Sequence, residues 1–220
     1  MVAAALRKLP TGASRIFGSP AVPTIAAAVI VLALAAGTSA QQVYWASDLL
    51  LFTRGVAVAP ENPVALAGLG VQYGKRSQYD KAIALLQRAE QIDPYDWHPK
   101  FSLGYTYFVL SRYPEAEPLL ARAMELNASN AHPDQFVYLG LTEMKLGNWT
   151  KAEAAIRQAV QRRPNVERYR YALALLLEQQ NRWPEAAAEF EATLQLNPAN
   201  ADARARLDRI RRGSSPPLQH

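Results

Sequence analysis

SRYPEAEPLL, residues 111–120, reads as a turn running into a helix: a polar residue, an aromatic, a proline where a helix's first turn has no bond to lose, then alanine and leucine. Near-copies stand at 77–86 (SQYDKAIALL), 147–156 (GNWTKAEAAI) and 181–190 (NRWPEAAAEF). Their starts, 77, 111, 147 and 181, are 34, 36 and 34 residues apart. A fixed period in this range marks a solenoid, in which each unit buries its apolar face only by stacking on its neighbours.

Aligned on small residues, the units share columns that packing explains. Gly70, Gly104, Gly140 and Ala174 stand where two helices of a hairpin cross too closely for a larger side chain. Ala82, Ala116, Ala152 and Ala186 are the small contacts opposite, and Leu86, Leu120, Ile156 and Phe190 are knobs that fill the space beside them. Tyr79, Tyr113, Trp149 and Trp183 pack at the turn into the second helix, which Pro114 and Pro184 start and which Asp80 and Thr150 are expected to cap. Pro94, Pro164 and Pro198 close the units. Ala128 replaces the closing proline of the second unit, and NASNAHPD (127–134) holds two extra residues, which predicts a longer loop there. Glu143 and Leu177 replace the tyrosines Tyr73 and Tyr107.

The pattern Leu-Gly-x₂-Tyr, Ala-x₃-large and closing proline resembles the tetratricopeptide repeat (TPR) over residues 63–200, with entry and tail helices extending it to about 43–212. The resemblance implies an all-α fold, a right-handed α-solenoid of TPR helix hairpins, and the apolar segment ahead of the repeats is expected to add one preceding transmembrane helix. The expected organisation is a basic flank at 1–20, a transmembrane helix at 21–42 and a half repeat at 43–62. Four repeats follow at 63–96, 97–132, 133–166 and 167–200, then a capping helix at 201–212 and a disordered tail at 213–220. Pro60 stands one period before Pro94, so 43–62 reads as the second helix of an incomplete unit.

The membrane expectation rests on AVPTIAAAVIVLALAAGTSA, residues 21–40, inside a stretch without charge from Ile16 to Ser47. As a helix its rise is ~30 Å, the thickness of a bilayer core. Arg7, Lys8 and Arg15 precede it, and only Arg54 follows before Lys75, so the positive-inside bias places the N-terminus in the cytoplasm and the repeats outside. Two alternatives stay open: a signal peptide cleaved near Ala40, giving a secreted chain, and a buried helix of a soluble protein.

Half of the 220 residues are apolar and a fifth charged, which suits a packed core. The net charge of +5 gathers in the N-terminal flank and at Arg204, Arg206, Arg209, Arg211 and Arg212. No basic stripe crosses the middle, so no nucleic-acid partner is expected. With no cysteine there is no thiol chemistry or disulfide framework. His98, His132 and His220 form no helical pair of metal ligands, and Glu115 and Glu117 read as a solvated face. No nucleophile elbow, zinc-protease, phosphate-loop or calcium-loop motif is present. The expectation is therefore a non-enzyme with no catalytic residues, cofactor, metal or small-molecule substrate. Asn127-Ala-Ser129 and Asn148-Trp-Thr150 match the glycosylation sequon, which matters only in a eukaryotic secretory chain.

The resemblance assigns partner binding to the concave face lined by the first helix of each unit. In register, that face holds Val64, Ala67 and Val71, then Phe101, Tyr105 and Phe108, then Val137, Leu141 and Met144, and finally Tyr171 and Leu175. The lysine, asparagine and arginine of a carboxylate clamp are replaced by apolar and aromatic residues, which suits an amphipathic helix or an extended apolar peptide; about half of them are expected to pack between helices instead. The expected function is a membrane-anchored scaffold for a protein or peptide partner, with an architecture like that of bacterial single-anchor TPR assembly factors in cytochrome c maturation or envelope biogenesis. A second reading notes that residues 45–63 are similar to the junction into the repeats of multi-span membrane glycosyltransferase-like proteins with TPR tails. The chain would then be a tail whose catalytic part is absent.

Overall fold

The computed structural model describes residues 47–213. The expected flank at 1–20, transmembrane helix at 21–42, start of the half repeat and all but the first residue of the tail lie outside the described residues. Internal contacts divide the chain into two units, residues 1–54 and 55–220. Helix α1, Asp48–Val58, crosses that division. No helix among the described residues is long and apolar enough to cross a membrane.

The second unit continues with α2 (Pro63–Lys75), α3 (Tyr79–Ile92), α4 (Trp97–Val109), α5 (Tyr113–Leu126), α6 (Pro133–Lys145), α7 (Trp149–Arg162), α8 (Glu167–Gln179), α9 (Trp183–Leu196) and α10 (Ala201–Arg211). Each even-numbered helix from α2 to α8 packs along the helix that follows it, forming four hairpins. The first helices α2, α4, α6 and α8 also touch one another in succession, and so form one continuous row.

The columns read from the sequence are the hairpin cores. Ala82, Ala116, Ala152, Ala186, Leu120, Ile156 and Phe190 are wholly buried, and Leu86 is nearly so. A Cβ on Gly140 would sit 2.5 Å from Ile156 Cγ1 and 3.0 Å from the Ala152 carbonyl oxygen, so neither partner leaves room for a side chain. Gly70 and Gly104 face Leu86 and Leu120 in the same way.

The turn inside each hairpin is one backbone motif built four times. Ser77, Ser111, Gly147 and Asn181, the first residues of the four repeated phrases, have φ of 58°, 58°, 80° and 60°. In each, two successive amides bond back to the first helix: Ser77 N–H to Gly74 O at 2.9 Å and Gln78 N–H to Tyr73 O at 3.0 Å, with the same pair at the other three turns. This is a Schellman termination. The expected caps at Asp80 and Thr150 are corrected. The N-cap positions are Gln78, Arg112, Asn148 and Arg182, with no side-chain cap bond at any of them, and Asp80 and Thr150 lie one residue inside the helices. Three of the four helices of the row are capped instead by side chains: Asn62, Asp96 and His132 accept amides of their own first turns, while α8, with Val166 at its N-cap, begins without one.

The connection from α5 to α6 spans residues 127–132, against 93–96, 163–166 and 197–200 elsewhere. This is the longer loop that the extra residues predict. The core is divided there as well. One buried cluster runs from Leu66 to Leu120, and a second from Ala131 to Leu207. Tyr138 and Leu139 of α6 reach back onto the first cluster, and Met124 of α5 reaches forward onto the second. At the end of the chain α10 packs on α9, with Ala203 and Leu207 buried.

Candidate functional site

The row of first helices carries every residue assigned to the concave face. Along it, among the described residues, the side chains form two cavities with a filled seam between them. The first cavity, of about 490 Å³, is lined by Val71 and Lys75 of α2, Tyr79 and Leu86 of α3, and Phe101, Ser102 and Tyr105 of α4. The second, of about 250 Å³, lies between α6 and α8 and is lined by Val137, Tyr138 and Leu141 with Arg168, Tyr171, Ala172 and Leu175.

Between them, Tyr138 of α6 fills the space against α4. Its ring lies 6.2 Å from Phe101, 4.7 Å from Tyr105 and 5.7 Å from Phe108. The three α4 rings, which the sequence leaves without partners, thus close on a fourth ring. Phe101 and Phe108 are half-buried, and Phe108 also packs edge-on against Tyr113. Tyr105 remains 39% exposed. Val137 and Ala67 are buried, Val64 is exposed at the start of α2, and Met144 and Leu141 pack half-buried against the second core cluster. Seven of the expected face residues therefore line a cavity: Val71, Phe101, Tyr105, Val137, Leu141, Tyr171 and Leu175. Phe108 and Met144 do not.

Tyr138 is the residue that the sequence reading missed. Its column is otherwise small: Gly68, Ser102 and Ala172. Ser102 and Ala172 line the two cavities. A small residue here leaves the slot toward the preceding first helix open, and the tyrosine closes it. One bulky residue in a column of small ones was the available signal.

Polar groups are few and mostly engaged. At the second cavity, Arg168 Nη2 lies 2.6 Å from Asp134 Oδ1, which also accepts the Tyr169 hydroxyl at 2.7 Å. Burial, with Tyr105 and Asp134 nearby, pushes the Tyr138 hydroxyl up to about 12. Burial and a hydrogen bond to Asp202 push Tyr171 up to about 12. At the first cavity Lys75 is exposed and has no hydrogen-bond or ion-pair partner among the described residues. Glu143 is buried in the tyrosine column. It accepts Asn148 Nδ2 at 2.6 Å and lies 3.6 Å from Lys151, where the equivalent Lys81 sits over the Tyr73 ring. No three acidic or histidine side chains converge on a metal position among the described residues.

A succession of helix hairpins packed in register defines an α-helical repeat fold. The repeats are tetratricopeptide repeats: residues 75–137 and residues 139–201 each match that family. Among solved structures the chain is similar to YrrB, described as a TPR protein with an unusual peptide-binding site (21% identity, TM-score 0.64, covering 74% of this chain and 84% of that one). It is similar also to MamA (23%, 0.60, 70% and 89%) and to TTC0263, a thermophilic TPR protein of Thermus thermophilus (26%, 0.59, 81% and 96%). No curated protein matches the chain.

Proposed function

We propose that this protein is a membrane-anchored, non-catalytic scaffold that holds a protein or peptide partner against the row α2, α4, α6 and α8. The observation that carries the reading is the pair of largely apolar cavities on that row, with the half-exposed Tyr105 on the wall of the first. Apolar pockets with an aromatic anchor are where binding energy concentrates, at about 2 kcal/mol or more for a hot-spot side chain. The peptide-binding site of YrrB, on the same fold, gives the reading a precedent. The uncharged segment 21–40 supplies the anchor, and the basic residues before it set the N-terminus in the cytoplasm and the right-handed solenoid outside.

Tyr105→Ala together with Leu175→Ala removes one wall from each cavity without touching the wholly buried columns. The partner's affinity should fall roughly a hundredfold with helicity unchanged. Unchanged affinity in the folded double variant contradicts the site. For the anchor, the chain's lack of cysteine makes Ser214→Cys a unique label. A membrane-impermeant thiol reagent should modify it in intact cells, and labelling only after lysis contradicts the topology.

A further inference from the structure

We infer that the inner row selects an extended peptide carrying two large apolar side chains six residues apart, small residues between them, and an acidic residue beside the one that enters the first cavity. The inference rests on the partner-binding reading and specifies its ligand.

The spacing follows from the column of Gly68, Ser102, Tyr138 and Ala172. The slot between α2 and α4 is open, that between α4 and α6 is filled by Tyr138, and that between α6 and α8 is open again. The open slots are thus two helix spacings apart. Packed helices lie about 8–10 Å from each other, so the cavities are separated by roughly 16–20 Å. An extended chain rises about 3.3 Å per residue, which makes this about five or six residues. Side chains of an extended chain alternate between faces, so two that enter the same wall are an even number apart, and about six is the value that fits. The intervening residues on that face cross the seam where Tyr138 packs against Phe101, Tyr105 and Phe108 and takes the space a large side chain would need.

Charge distinguishes the two ends. Arg168 at the second cavity is already neutralised by Asp134, at 2.6 Å and 2.8 Å to the two carboxylate oxygens. Lys75 at the first cavity is exposed and has no such partner among the described residues. A ligand carboxylate meets an unpaired cation at the Lys75 end, whereas at the Arg168 end it has to compete with Asp134.

The test uses synthetic fluorescent peptides with two leucines at separations of roughly four to eight residues in a glycine–serine background, spanning the extended-chain estimate. They are titrated by anisotropy against the full chain in lipid nanodiscs, with empty nanodiscs as the blank. Affinity should peak at a separation of about six and drop at least tenfold when one residue is added or removed, because the second leucine then faces away. A glutamate beside one leucine should strengthen binding, and Lys75→Glu should reverse that preference in favour of lysine. A leucine at the midpoint should weaken binding to the natural chain and be accepted by Tyr138→Ala. If Tyr138→Ala does not fold, the exposed Lys75→Glu decides. Binding that ignores separation, or peaks at a helical spacing, overturns the inference and leaves the partner-binding reading standing. If none of the peptides binds, the inference falls, and the Tyr105→Ala, Leu175→Ala test decides the partner-binding reading on its own.

Discussion

Ser77, Ser111, Gly147 and Asn181 do one backbone task with three residue types, and only glycine does it without strain. A Cβ at Gly147 would meet nothing within 4 Å, so the effect of replacing it is purely conformational. Gly147→Ala should cost about 1 kcal/mol through the left-handed backbone. Ser77→Gly should gain about 0.5–1 kcal/mol by relieving the same strain. Thermal or urea unfolding checks both, and equal effects of the same sign would contradict the turn geometry. The tyrosines make a second residue-scale prediction. Tyr138 and Tyr171 are pushed up to about 12 from an ordinary 10.0, so between those values the folded chain keeps protons that the unfolded chain releases. Their stabilisation is full below pH about 10 and is lost as pH rises through about 12. Tyr138→Phe should flatten part of this alkaline loss, measured as unfolding free energy against pH; an unchanged slope would count against a half-buried hydroxyl held beside Tyr105.

At the scale of the elements, the break after α5 sets the mechanics. Two buried clusters meet across the connection at 127–132, stitched by Tyr138, Leu139 and Met124. Units of a solenoid whose buried clusters are separate can open separately. Hydrogen exchange in low denaturant should therefore separate the amides of α2–α5 from those of α6–α10, and Tyr138→Ala should widen the gap. One common opening free energy for all nine helices would contradict the division. The columns that build the hairpins were legible in the sequence because each is a steric demand on residue type: Gly140 can be nothing larger against Ile156. The position of the loop was legible too, from two extra residues and a missing proline. The seam was not. Tyr138 belongs to no recurring column of large residues, and its partners Phe101, Tyr105 and Phe108 lie on another repeat, so no local pattern links them. The capping of the second helices was misread for a related reason. Their entry is fixed by the backbone motif of the preceding turn, which leaves Asp80 and Thr150 no capping role.

For the whole molecule, the four hairpins place a small-residue column on the row of first helices, and the exception in that column divides the row into two cavities. The second helices offer a contrast: α5 carries Arg122 and Glu125 as an exposed ion pair at 2.7 Å, and neither residue lines either cavity. Partner capture by the inner row is the claim on which the functional account depends. Its most direct measurement is site-specific photo-crosslinking in cells, with a benzophenone amino acid placed at Tyr105, at Leu175 and, as the outer control, at Arg122. The account predicts one discrete adduct of the same mass from Tyr105 and Leu175 and none from Arg122. The same adduct from Arg122 with none from the inner row would contradict it.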